Sequence, residues 1–160
     1  MRKVFVVTLF LFIPSTAFAD ITLFLGTNQT PSNRSVRGFA GGIGLLIVAF
    51  EFEYANTSED ELEVAPSLKT YMFNGLVQTP FAIAGLQPYG TVGGGIYRER
   101  LTQTPEDITE THVGINVGGG VKINLAGPIR VRVDYRVFKL NGSPLHSNPK
   151  RLYAGINLKF

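Results

Sequence analysis

The chain has 160 residues and no cysteine, with 15 Lys and Arg against 12 Asp and Glu, a formal net charge of +3. The length is that of one domain, and the lack of cysteine excludes a disulfide framework and thiolate metal sites. Residues 1–19 read as an export leader; its loss removes Arg2 and Lys3 and leaves 13 bases against 12 acids, a net +1, which gives no global reason to bind nucleic acid.

In the leader, Arg2-Lys3 form the charged start, residues 4–13 the apolar run and Ala17-Phe18-Ala19 a small-x-small cleavage site, so the mature domain is expected to span residues 20–160. The apolar run is too short for a membrane anchor, which needs about 20 residues. Eighteen glycines and nine prolines favour strands and turns over helices. The sole helix candidate, residues 38–50, carries four glycines and is read as a hairpin.

From Asp20 the chain divides into eight strand-like segments. The first, residues 21–27, places Ile21, Leu23 and Leu25 on one face, and a polar loop containing Pro31 follows. The second, 36–45, sets Phe39, Gly41, Ile43 and Leu45 against Gly38, Ala40, Gly42 and Gly44. The third, 47–55, sets Val48, Phe50, Phe52 and Tyr54 against Ala49, Glu51 and Glu53; the turn before it is apolar and lacks Asn-Gly chemistry. After a polar insert at 56–67, the fourth strand, 68–78, turns Tyr71, Phe73, Gly75 and Val77 one way. The fifth spans 87–100, with no face assigned. The sixth, 112–125, alternates Val113, Ile115, Val117 and Val121 with His112, Asn116 and Lys122. The seventh, 129–139, has Ile129, Val131, Val133, Tyr135 and Val137 on one face and Arg130, Arg132, Asp134 and Arg136 on the other. The last, 150–160, sets Leu152, Ala154, Ile156, Leu158 and Phe160 against Arg151, Tyr153, Gly155, Asn157 and Lys159.

Long polar connections alternate with short ones, and the strand count is even. Both features belong to a bacterial outer-membrane barrel with extracellular loops and periplasmic turns. The fold expected is all-β, an eight-stranded antiparallel up-and-down transmembrane β-barrel. In such a wall the apolar faces meet lipid and the charged faces point into a lumen that side chains fill. Glu51, Glu53 and Asp134 are therefore expected to pair with Arg130, Arg132 and Arg136 in a structural luminal network. A soluble lipid carrier would invert the two faces.

The glycine runs at 41–44, 93–95 and 118–120 precede no helix and carry no Lys-Ser/Thr, which argues against phosphate loops and for strand curvature. Basic residues gather where strands meet the long loops: Arg34, Arg37, Lys69, Arg98, Arg100, Lys139, Lys150 and Arg151. They are candidates for contact with lipopolysaccharide phosphates, which Arg and Lys bind well. The acidic loop residues Glu59, Asp60, Glu61 and Glu63, and Glu106, Asp107 and Glu110, lack calcium-loop spacing. Neither a metal nor any other cofactor is expected.

The segment Gln87-Pro88-Tyr89-Gly90-Thr91-Val92-Gly93-Gly94-Gly95-Ile96-Tyr97 and the terminal Phe160 resemble the small outer-membrane β-barrel superfamily, which includes opacity-protein-like and OmpA-like transmembrane domains. The resemblance implies a non-enzymatic envelope or surface protein acting through its loops, with Phe160 as the signal read by the barrel-assembly machinery. The alternatives are a lipid A deacylase, since Leu145-His146-Ser147-Asn148 is superficially similar to the His-x-Ser-Asn motif of such barrels, and a small pore. Adjacent His146 and Ser147 would point to opposite faces if extended, and no acid follows to orient the histidine. His112 reads as a strand-end residue.

Overall fold

A strand with one apolar and one polar face leaves its edges unpaired, and closure of the sheet on itself removes both edges. The computed structural model describes residues 17–60, 62, 63, 65–101, 108–144, 146 and 148–160, and in it the sheet is closed. Eight antiparallel strands follow one another in chain order: β1 (Ala17–Asn28), β2 (Arg34–Leu45), β3 (Val48–Thr57), β4 (Ser67–Gln78), β5 (Leu86–Leu101), β6 (Ile108–Ala126), β7 (Ile129–Leu140) and β8 (Lys150–Lys159). The seam joins β8 back to β1, with Ile21 opposite Leu158 and Asn28 opposite Arg151. Most strands run past the expected ends, β1 and β6 by the widest margin, as backbone pairing continues back through Ala17-Phe18-Ala19 in β1 and through Thr109, Glu110 and Thr111 in β6.

Two connections are tight. Leu46 and Ile47 join β2 to β3, with Leu46 at φ +47° where glycine is usual. Gly127 and Pro128 join β6 to β7, with Gly127 at φ +53° and a register shift between Asn124 and Ala126. The long–short alternation is not strict. Strands β1 and β2 reach so far that only residues 29–33 remain between them, whereas residues 79–85 contain a small bridge from Ile83 to Leu86. Residues 1–16, most of the expected leader, and Glu61, Glu106, Asp107, Leu145 and Ser147, lie outside the described residues.

The two faces of the wall are inverted relative to a water-soluble protein. Leu23 is 65% exposed and Phe73 71%, while Arg132, Arg136 and Asp134 are fully buried. Ile21, Leu25, Ile43, Phe50, Val77, Val92, Ile115 and Ile156 continue the outward apolar belt around the ring. Across β2, β3 and β4 an aromatic ladder stands on this surface, Phe39 against Phe52 and Tyr54, Phe52 against Phe73, and Tyr54 against Tyr71, at centroid separations of 5.1–6.3 Å. An apolar surface of this extent needs lipid or a partner to cover it, and a charged interior belongs to a membrane barrel. A soluble carrier with an apolar cup is thereby excluded.

Inside, apolar clusters lie above and below the charges. Leu68, Met72, Tyr97, Phe138 and Leu140 pack toward the end bearing residues 58–66 and 141–149. Ala49, Leu76 and Tyr89, with Phe18 against them, pack toward the opposite end. The central charges lie between these two clusters, beside a third one of Phe24, Val36, Ala40, Ala55 and Tyr153.

Candidate functional site in the lumen and at the rim

Strand β7 places a charged side chain on every second position, and the pleat directs all of them inward. Strands β3 and β7 stand across the ring from each other, so their inward charges meet over the middle of the lumen. Arg132 grips Glu51 with both terminal nitrogens, Nη1 on Oε2 and Nη2 3.2 Å from Oε1, and Nη2 also lies 3.1 Å from Asp134 Oδ2. Arg136 donates through Nε to Asp134 Oδ1 at 2.8 Å and through Nη2 to Glu51 Oε1 at 3.1 Å. Its Nη1 lies 3.0 Å from Glu53 Oε2. Two phenols complete the cluster. The Tyr89 hydroxyl donates to Asp134 and accepts from Arg132 Nε at 2.7 Å, and the Tyr153 hydroxyl donates to Glu53 Oε2 at 3.3 Å.

Five of the six residues expected in the luminal network, Glu51, Glu53, Arg132, Asp134 and Arg136, come together here. Arg130 does not join them. It bonds Asp20 Oδ2 at 3.0 Å, Asn157 Oδ1 at 2.7 Å and Gln87 Oε1 at 3.0 Å, in a second cluster nearer the tight turns. Lys122 shares that cluster, with Nζ 2.7 Å from Asp20 and 3.3 Å from Gln78 Oε1.

Sequence reasoning missed Asp20, Lys122, Tyr89, Tyr153 and Arg151 as members of these networks. The signal for Arg151 was present, since it shares the odd-numbered face of β8 with Tyr153 and Asn157. Its position near a long loop suggested the rim instead, and the structure corrects this. Arg151 is 1% exposed, donates to Glu53 Oε1 at 3.0 Å and to Thr70 Oγ1 at 3.1 Å, and lays its guanidinium over the Phe138 ring at 4.4 Å. Arg34 is corrected in the same way. It is buried, with Nη1 donating to the Pro66 carbonyl and Nη2 to that of Thr30 at 3.0 Å, so it ties two loops together from within.

The other rim cations do face outward. Arg37, Lys69, Arg98, Arg100, Lys139 and Lys150 are exposed. Their register places them in two groups. Lys69 lies directly opposite Arg98, and Asn56 separates Lys69 from Arg37 at the same level of the wall. Lys139 and Lys150 occupy neighbouring positions across β7 and β8, with Lys150 opposite Val137. Like charges directly opposite one another destabilise a sheet unless anions sit between them.

In the loop between β3 and β4, Asp60 accepts from the Ser32 hydroxyl at 2.9 Å and from the backbone N–H of Leu62 and of Glu63. The Ser32 bond, aided by those amides and by Arg34, holds its carboxyl below the usual aspartate range. His112 packs its ring against Tyr97 at a centroid distance of 6.0 Å. His146 is half-buried in the connection between β7 and β8, next to the undescribed Ser147.

A family model described as outer membrane protein beta-barrel domain matches residues 15–160. A comparison with curated protein sequences finds no match. Among solved structures, the N-terminal β-barrel domain of Pseudomonas aeruginosa OprF aligns with a TM-score of 0.69 at 16% identity, over 89% of this chain and 97% of that one. Neisserial surface protein A aligns with a TM-score of 0.68 at 16% identity, over 90% and 96% of the two chains. The attachment invasion locus protein Ail of Yersinia pestis aligns at 0.55 with 13% identity, over 90% and 96%.

Proposed function

Because this chain belongs to the outer membrane protein beta-barrel domain family and resides in the bacterial outer membrane, we propose that it is a non-enzymatic envelope protein. In this reading it is a sealed wall element held in the outer leaflet by lipopolysaccharide, and its loops meet the cell surroundings. The observation that carries the reading is the outward cation row. Lys69 and Arg98 face each other across β4 and β5 with Arg37 at the same height, above an apolar and aromatic belt. Phosphates beside acyl chains match both features, since the phosphates bridge the cations while the chains cover the belt. Arg100, Lys139 and Lys150 extend the row around the rim.

Binding of the folded protein to vesicles containing lipopolysaccharide tests this directly. The Lys69→Gln/Arg98→Gln double variant should bind several-fold more weakly at moderate salt, with the heat-dependent gel shift of the folded barrel unchanged. Equal binding by the two proteins would overturn the lipopolysaccharide reading. Release of fatty acid from lipid A by the purified protein would overturn the non-enzymatic one. Phe160 is assigned the role of assembly signal. It is 70% exposed at the end of the wall, and its backbone N–H bonds the Ala19 carbonyl at 2.8 Å.

A further inference from the structure

We propose that the outer wall holds one lipopolysaccharide molecule at a fixed seat, a diagonal groove at the barrel seam that takes an acyl chain, with Arg37 on the phosphate. The proposal rests on the lipopolysaccharide reading above and narrows it from a row of cations to a single site. The groove encloses about 750 Å³ on the outer surface, from Val131 on β7 to Tyr54 and Asn56 on β3. Among the described residues Arg37 supplies the only charge in its lining, and no carboxylate borders it.

The sequence of β8 makes the groove. Ala154 lies between Leu25 of β1 and Val133 of β7, so a methyl group stands where its neighbours carry branched chains. Arg37 and Asn56 continue that rung, and the outward rung below it runs Val131, Ile156, Leu23, Phe39 and Tyr54. The floor is fixed from inside the barrel. A Cβ at Gly38 would stand 2.5 Å from the Phe24 ring, and one at Gly155 2.8 Å from Phe24 Cβ. Phe24 in turn stacks on Tyr153 at 4.1 Å, and the Tyr153 hydroxyl donates to Glu53 at 3.3 Å. A seat backed by this network is preformed, which spares a ligand the cost of ordering it.

The direction of the groove selects the occupant. From β7 through β8, β1 and β2 to β3 it crosses four interstrand steps, about 19 Å at ~4.8 Å each. Strands of such barrels tilt by about 35–45°, so a path perpendicular to them descends roughly 13 Å along the barrel axis. That is close to half of the ~30 Å hydrocarbon core, the depth of one leaflet. Val131 lies near the turn end of β7, whereas Tyr54, on the same rung, lies near the loop end of β3. Arg37 and Asn56 therefore stand at the upper end of the groove, on one rung with Lys69 and Arg98. An anionic head at that height with an acyl chain running down the diagonal matches charge and depth together. A phospholipid of the inner leaflet would bring its phosphate to the Val131 end, where the lining carries no cation.

Native mass spectrometry of the barrel, extracted from outer membranes in mild detergent, tests the seat by weighing the lipid that stays bound. The expected mass is that of the barrel plus one lipopolysaccharide. Ala154→Phe fills the groove and Arg37→Gln removes its anchor; each should cut the retained fraction several-fold, with the heat-dependent gel shift unchanged. Val117, 59% exposed on β6, lies away from the groove, and Val117→Phe should retain the lipid as the wild type does. Wild-type retention by Arg37→Gln and Ala154→Phe would overturn the proposal. So would an equal loss in Val117→Phe, or a phospholipid or a second copy of the chain bound in place of lipopolysaccharide. If Ala154→Phe does not fold, Arg37→Gln carries the test alone. Failure of the wider reading looks different: Lys69→Gln/Arg98→Gln then binds vesicles as the wild type does, whereas failure of the groove leaves that variant weak and Ala154→Phe fully loaded.

Discussion

Glu53 is fully buried and serves three partners: Arg151, Arg136 and the Tyr153 hydroxyl. Replacing it with alanine leaves two guanidinium groups short of a counter-charge where water has little access. The expected loss is about 3–5 kcal/mol, the usual cost of removing one partner from a buried ion pair. Urea unfolding of the protein folded into lipid vesicles measures it. A loss under about 1 kcal/mol, the range of exposed pairs, would mean that water penetrates the network. Among the described residues six cations are buried, Arg34, Lys122, Arg130, Arg132, Arg136 and Arg151, against four acids, Asp20, Glu51, Glu53 and Asp134, an excess of two. Ring faces accommodate the surplus, with Arg132 over Tyr89 at 4.8 Å and Arg151 over Phe138 at 4.4 Å. The Pro88-Tyr89 pair acquires a physical role from this, since Tyr89 is the phenol on which Asp134 and Arg132 converge.

Strand β6 shows why a small barrel spends glycines on one face. A Cβ at Gly120 would stand 2.2 Å from the Val133 carbonyl oxygen and 2.5 Å from the Tyr89 hydroxyl, so the neighbouring backbone has nowhere to go. A Cβ at Gly41, on the outer face of β2, meets nothing within 4 Å. Gly120→Ala should therefore sharply reduce the yield of folded, heat-modifiable barrel, while Gly41→Ala should leave it near wild type. Equal yields would show that the strand relaxes around the methyl group. The same element scale explains the rim corrections. Arg34 and Arg151 lie near loops along their strands, but the pleat sends them inward, and in a strand the face outranks the height. Arg37, one pleat from the inward set, points to the outer surface at a similar height.

For the whole molecule, buried charges and apolar clusters occupy the lumen of the described residues, with Arg132, Asp134 and Arg136 fully buried. An eight-stranded ring is just wide enough for its side chains to fill it. In planar bilayers the protein should show no stable large conductance, and a sustained large-channel current would refute the sealed lumen. The outward belt also sets the partner class for most of the surface, since only lipid covers so much apolar area around the full circumference.

The sequence by itself determined the class, the strand number, the order and the two faces of every strand but β5. Each depends on period-two alternation, a local property that closure of the sheet does not alter. Strands β3 and β7 could even be set opposite each other, because an up-and-down ring converts strand number into position. Only the tertiary structure decided which charges share a carboxylate. That choice depends on the stagger of the strands around the ring, which moves Arg130 down to Asp20 and brings Arg151 across to Glu53. It also decided where the outer wall is grooved. Val131 and Asn56 stand at the two ends of one groove although they lie far apart in the chain, and no local pattern could have carried that information.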